Sequence, residues 1–120
     1  MARVPVVGRL RHILAEIELV RSFVAGRSLD DHRRDRMLRR AVERSLEIIS
    51  EASRRVSDEA KAGHPEIPWP EIAAFGNLLR HEYQRVDSYL VWKTATQSLD
   101  ALRLAVKDLI ARAEQERDKR

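Results

Sequence analysis

Apolar residues in this chain return every three or four positions, and they do so in four separate stretches. That period is the repeat of a helix with one buried face, so each stretch is predicted to be α-helical. In the first, Val6, Leu10, Ile13, Leu14, Ile17, Val20 and Val24 form one stripe that Gly26 ends. Ser28, Asp30 and Asp31 then offer N-caps. The second stretch is predicted to be the longest, from about Asp31 to Ala62. Its residues Leu38, Val42, Ser45, Ile49, Ala52 and Val56 follow a 4-3-4-3-4 spacing, the seam of a helix packed nearly antiparallel on others. Leu46 and Ile48 widen that face enough for more than one neighbour. Gly63 is expected at C′, and Pro65, Pro68 and Pro70 forbid a helix through the next segment.

A third helix is predicted to start near Pro70 with Ile72, Phe75, Leu78 and Leu79 on its core face, and to end around residues 83–85. Asp87 or Ser88 caps the fourth, whose apolar positions are Leu90, Val91, Ala95, Leu99, Leu102, Val106, Leu109 and Ile110. Four such helices with short connections predict an all-α, antiparallel four-helix bundle. It forms a single domain over residues 1–113, followed by a charged tail, 114–120, expected to fray. A bundle this small buries a modest core, and the broad second-helix face is expected to be covered by a second copy in a homodimer.

Composition removes other classes. At 120 residues there is about one domain's worth of chain, with no Cys for disulfides, zinc thiolates or a Cys nucleophile. Four Gly and four Pro supply too little turn chemistry for a sandwich or barrel. No apolar run approaches the roughly 18 residues of a membrane span, and the N-terminus lacks the pattern of a signal peptide. The expectation is a soluble cytoplasmic domain without membrane contact. No Gly-rich phosphate loop, His pair at zinc spacing or Gly-x-Ser-x-Gly elbow is present, so no metal and no cofactor are expected. Of the 23 basic residues, 19 are Arg, a residue whose planar fork suits phosphates and carboxylates. Arg33, Arg34, Arg36, Arg39, Arg40 and Arg44 are concentrated in the second helix, among Asp30, Asp31, Asp35 and Glu43. They read either as a solvated face or as a grip on RNA or an acidic protein. Glu47 and Glu51 are ordinary solubilising residues or partners for these Arg across a dimer contact.

Among four histidines, His12, His32 and His64 read as solvated, and Trp69 and Trp92 as core packing rather than base-stacking platforms. His81 differs by its company. Arg80, His81, Glu82, Tyr83 and Arg85 place an imidazole, guanidinium groups, a carboxylate and a phenol at one helix end. An imidazole moves protons near neutral pH while guanidinium groups hold a phosphate and its growing charge, the minimum kit for cutting RNA without a metal. The plainer alternative is that these cations oppose the dipole at a helix C-terminus.

The run His64-Pro65-Glu66-Ile67-Pro68-Trp69, followed by Ile72-Ala73, by Asn77-x-Leu79-x-His81-x-Tyr83-x-x-Val86-Asp87 and by Val91-Trp92, resembles the HepT-like family of HEPN-domain proteins. Arg9-Leu10-x-x-Ile13-Leu14, Leu46-Glu47-Ile48-Ile49 and Glu51-Ala52 also fit, so the resemblance covers about residues 9 to 110. It implies a dimeric, metal-independent endoribonuclease, the toxin of a type VII-like toxin–antitoxin pair. The implied partner is an MNT-type minimal nucleotidyltransferase antitoxin, which attaches AMP to the motif Tyr. Carried over, His81 matches the catalytic His and Tyr83 the modified Tyr, with Asn77 and Glu82 as supporting positions.

The motif Arg does not carry over. The family pattern places Arg just before the Asn, and here Gly76 precedes Asn77. Arg80 and Arg85 are the substitute candidates, although Arg80 points about 100° away from His81 around a helix axis. Losing a transition-state charge stabiliser costs a factor of order 10² to 10³ in rate. Two readings therefore stand: a ribonuclease using His81 with Arg80 or Arg85, or a degenerate binding subunit that pairs with the nucleotidyltransferase without cutting RNA. Gly inside a helix costs about 1 kcal/mol relative to Ala, so Gly76 calls for a packing reason or a later helix start.

Overall fold

The structure, a computed structural model, describes residues 6–81 and 87–119. Its elements are α1 (Val6–Val24), α2 (Leu29–Arg34), α3 (Arg36–Arg54), α4 (Asp58–Ala62), α5 (Trp69–His81), α6 (Ser88–Lys93), a π turn over Thr94–Ser98, and α7 (Leu99–Asp118). With α6, the π turn and α7 running as one rod, four long helical segments make the predicted bundle.

The stripe on α1 is the centre of the core: Ile13, Ile17 and Val20 are fully buried, facing Val42 of α3 and Val106 of α7 within one cluster. Helix α1 packs on both α3 and α7. Ion pairs show that α1 and α7 run antiparallel. Arg11 pairs with Glu114, Glu18 with Arg103 at 2.5 Å, and Arg21 with Asp100 at 3.5 Å, ascending on one helix while descending on the other. The charged residues beyond 113 continue α7 to Asp118.

The predicted second helix is three helices. Its 4-3-4-3-4 seam is buried as expected, but Asp35 interrupts the start. Asp35 has extended backbone, and its carboxylate accepts from the Leu38 N–H at 3.1 Å, an N-cap that competes with continued helix. Upstream, Ser28 caps α2 in a reciprocal capping box with Asp31. The other break follows Arg54, where Ser57 caps the short α4 through the Ala60 N–H at 3.1 Å.

Two glycines behave differently. Gly26 has φ +70°, the left-handed conformation that ends α1. Gly63 has φ −69°, so it is not the left-handed C′ residue expected of it. It is there for space: a Cβ would lie 3.0 Å from Arg112 Nη1 and 3.2 Å from Leu109 Cδ2 of α7.

In the last rod, Val91, Ala95 and Leu99 are buried at steps of four. Each such step overshoots an α-helical turn by about 40°, and the wider π turn absorbs the drift. Thr94 and Thr96 donate their hydroxyls to the Leu90 and Trp92 carbonyls at 2.8 and 2.7 Å, satisfying acceptors there. Leu90, expected in the core, is exposed instead.

Candidate functional site

Helix α5 carries the motif residues that are described, and its position is set by one close contact. At Gly76 a Cβ would lie 2.5 Å from the Ser50 hydroxyl and 2.7 Å from the Ser50 Cβ on α3. The Ser50 hydroxyl accepts from the Gly76 N–H at 2.9 Å and faces the Ile72 and Ala73 carbonyls at 2.5 and 2.9 Å. Arg54 adds a hydrogen bond to the Ala73 carbonyl at 3.0 Å. The glycine therefore has a packing reason, and any side chain there, the family's Arg included, meets α3 first.

His81 ends α5, exposed, at the rim of a recess of about 530 Å³ lined also by Glu71, Phe75, Asn77 and Leu78. Asn77 accepts from Arg80 Nη2 at 2.6 Å, and Arg80 Nη1 stands 4.0 Å from Glu51 on α3. Arg80 thus belongs to the face beside that of His81, and the two side chains line different concavities. The structure brings His81 together with Asn77 but does not converge it with the Arg80 guanidinium. Glu82, Tyr83 and Arg85 lie outside the described residues.

Beside this recess is a basic groove of about 730 Å³ that gathers three of the second-helix Arg the sequence left as a solvated face or a grip, and that adds His32, which the sequence read as solvated. Arg39, Arg40, Glu43, Arg44 and Glu47 of α3 form one wall, with Leu79 and Arg80 of α5, Ser88 and Val91 of α6, and His32 of α2 completing it. His32 is fully buried rather than solvated, because α2 is docked against α3 and α6. Its ring lies 5.3 Å from that of Trp92, inclined by 42°. Among the described residues neither ring nitrogen has a hydrogen-bond partner. Burial, reinforced by Arg39 and Arg33, pushes the imidazole below its ordinary pKa. Burial likewise pushes the Glu43 carboxyl up, with Arg39 pulling the other way. The hint in the sequence is faint: Leu29 and His32 stand three apart behind the capping Ser28, amid charges that read as solvent-facing.

His64 is also not free. Its two ring nitrogens contact Glu66 at 2.8 Å and Asp108 of α7 at 2.7 Å, while Arg112 reaches Asp108 at 2.8 Å. The carboxylates hold the imidazole above its ordinary pKa, Glu66 first. Trp69 is buried, and its indole donates to the His64 carbonyl at 3.1 Å, so this cluster fastens the proline segment to α7. His12 is exposed as expected. Glu47 and Glu51 pair within the chain, with Arg44 at 3.2 Å and Arg55 at 3.3 Å.

Comparison with known proteins gives a consistent result. The family described as Ribonuclease HepT-like matches residues 13–109. "Putative RNase TTE0752" of Caldanaerobacter subterraneus subsp. tengcongensis is 39% identical over 101 residues, covering 84% of this chain and 90% of its own. "Probable ribonuclease HepT" of Thermococcus cleftensis is 38% identical over 94 residues, covering 78% of this chain and 86% of its own. No solved structure matches significantly.

Proposed function

The chain belongs to the HepT-like ribonuclease family, and from that premise we propose that it is the endoribonuclease toxin of a toxin–antitoxin pair. The observation that carries this reading is the family match across nearly the whole chain, with His81 exposed at the open end of α5. In the proposed reaction His81 takes the proton of a ribose 2′-hydroxyl as that oxygen bonds to the adjacent phosphorus. The bond from phosphorus to the 5′-oxygen breaks, leaving a 2′,3′-cyclic phosphate, and the leaving oxygen takes a proton from water while His81 returns its own to solvent. A guanidinium must stabilise the extra negative charge. Arg80 is turned to the neighbouring face, so in this proposal Arg85 or an Arg from the second subunit of a homodimer completes the site. The antitoxin is an MNT-type nucleotidyltransferase, and AMP on Tyr83 places bulk and negative charge where RNA must approach.

One observation favours a second reading, a binding subunit without catalysis: the position of the motif Arg is closed by the Gly76–Ser50 contact. Induction of wild type and His81→Ala in bacteria that carry no MNT-type nucleotidyltransferase separates the two. Growth arrest with RNA breakdown, relieved by His81→Ala, is the expected result. Normal growth with intact RNA at confirmed expression supports the binding subunit instead. For the antitoxin, intact-mass measurement after co-expression is expected to show one added AMP, lost in Tyr83→Phe.

A further inference from the structure

The basic groove between α2, α3, α5 and α6 is separate from the recess that His81 lines. Four guanidinium groups line it, from Arg39, Arg40, Arg44 and Arg80; Arg44 gives one nitrogen to Glu47 at 3.2 Å and Arg80 one to Asn77 at 2.6 Å, each keeping the rest of its fork. Arg39 spends one nitrogen on the His32 and Arg33 carbonyls, at 3.4 and 2.7 Å, which fixes its stem and leaves the rest of its fork. Arg40 is exposed and has no hydrogen-bond or ion-pair partner among the described residues. At the bottom is His32, fully buried with both ring nitrogens unpartnered. A buried polar group without a partner costs about 1 to 3 kcal/mol, so the ring carries an unsatisfied donor and acceptor beneath the groove, covered in the free protein, at a cost in stability.

We propose that this groove binds one nucleotide unit of single-stranded RNA, with Arg40 and Arg44 on its phosphate and His32 hydrogen-bonded from below. The strand then passes over Arg80 toward His81, so the site is a binding subsite adjoining the cleavage site, and it rests on the ribonuclease reading. The two carboxylates discriminate between ligands. Glu43 and Glu47 would repel an acidic protein surface, whereas ribose hydroxyls and exocyclic amines of bases are donors that carboxylates accept from. A concave site mixing guanidinium donors with carboxylate acceptors fits a nucleotide better than it fits a run of Asp and Glu. Because His32 lies against Trp92, filling the groove also changes the surroundings of that indole.

The test is fluorescence anisotropy of a short labelled single-stranded RNA across a salt series, with cleavage scored on the same samples. Arg40→Ala/Arg44→Ala is expected to weaken binding at least about tenfold and to flatten the slope of log affinity against log salt by about 1.4. A charge-matched control on α7, Lys107→Ala/Arg117→Ala, is expected to change neither by more than the loss of general attraction. His32→Leu is expected to weaken RNA binding without lowering the urea midpoint, which a purely structural role would not produce. Wild-type affinity in the Arg40/Arg44 variant, equal losses in the control, or competition by poly-glutamate at equal charge concentration overturns the proposal. So does the absence of RNA binding by wild type. Binding that depends on the groove without cleavage sinks the ribonuclease reading and leaves the groove. Cleavage with groove-independent binding does the reverse.

Discussion

A methyl group is enough to test how α5 is placed. Gly76→Ala puts a Cβ where Ser50 stands, 2.5 Å from its hydroxyl, and overpacking of this kind costs about 1 to 3 kcal/mol. Urea denaturation of Gly76→Ala, Ser50→Gly and the double variant should show a favourable coupling, because Ser50→Gly makes the space that the added methyl lacks. Strict additivity would refute the steric account. The same contact predicts that Gly76→Arg does not restore the family's geometry and instead loses stability. At His32 the expectation is opposite to that for an ordinary core residue. Leu has similar bulk and no polar atoms, so His32→Leu is expected to hold or raise the urea midpoint, by up to about 1 kcal/mol. A loss of several kcal/mol would mean that the imidazole has a partner in the free protein.

Elements of this fold are bounded by caps more than by hydrophobic pattern. Asp35 closes α2 and opens α3, and Asp35→Ala is expected to cost about 1 kcal/mol in urea denaturation. The apolar seam begins only at Leu38 and runs on past the end of α3 from Ala52 to Val56, so periodicity marked neither break and read one helix from 31 to 62. Farther along, the proline segment is tied to α7 by His64, and the tie titrates. Its pKa is raised by Glu66 and Asp108, so its stabilisation is full below the unfolded value of about 6.5 and fades as pH rises through the folded value. His32, lowered by burial, acts the other way: its titration adds no penalty above about 6.5 to that of the unpartnered ring and destabilises further as pH falls below it. The urea midpoint of wild type is therefore expected to fall on both sides of neutrality. His64→Gln should lose the alkaline fall and keep the acid one. A difference between wild type and His64→Gln that is constant with pH would exclude the clamp.

For the molecule as a whole, a core centred on Ile13, Ile17, Val20, Val42 and Val106 holds the three helices α1, α3 and α7 together. Ile17→Ala is expected to cost about 2 to 5 kcal/mol, as does loss of a fully buried branched side chain in other cores. The homodimer belongs to the proposed function, and light scattering should give twice the 13.9 kDa chain mass. Leu78→Asp, in the recess beside His81, is expected to lower that mass toward the monomer if the second subunit completes the site there. Read from the chain alone, the helical class, the seam on α3, the stripe on α1, the proline break and the family were all legible. These depend on period, breakers and motif order, properties that neighbouring residues in sequence carry. What tertiary structure decided was which polar groups lose their water. His32 is buried only because α2 folds down on α3 and α6, His64 meets Asp108 across 44 residues, and Gly76 is required only where α5 crosses Ser50. Burial, pKa and close approach arise between segments distant in sequence, so local pattern fixes the helices while their meeting fixes the groove.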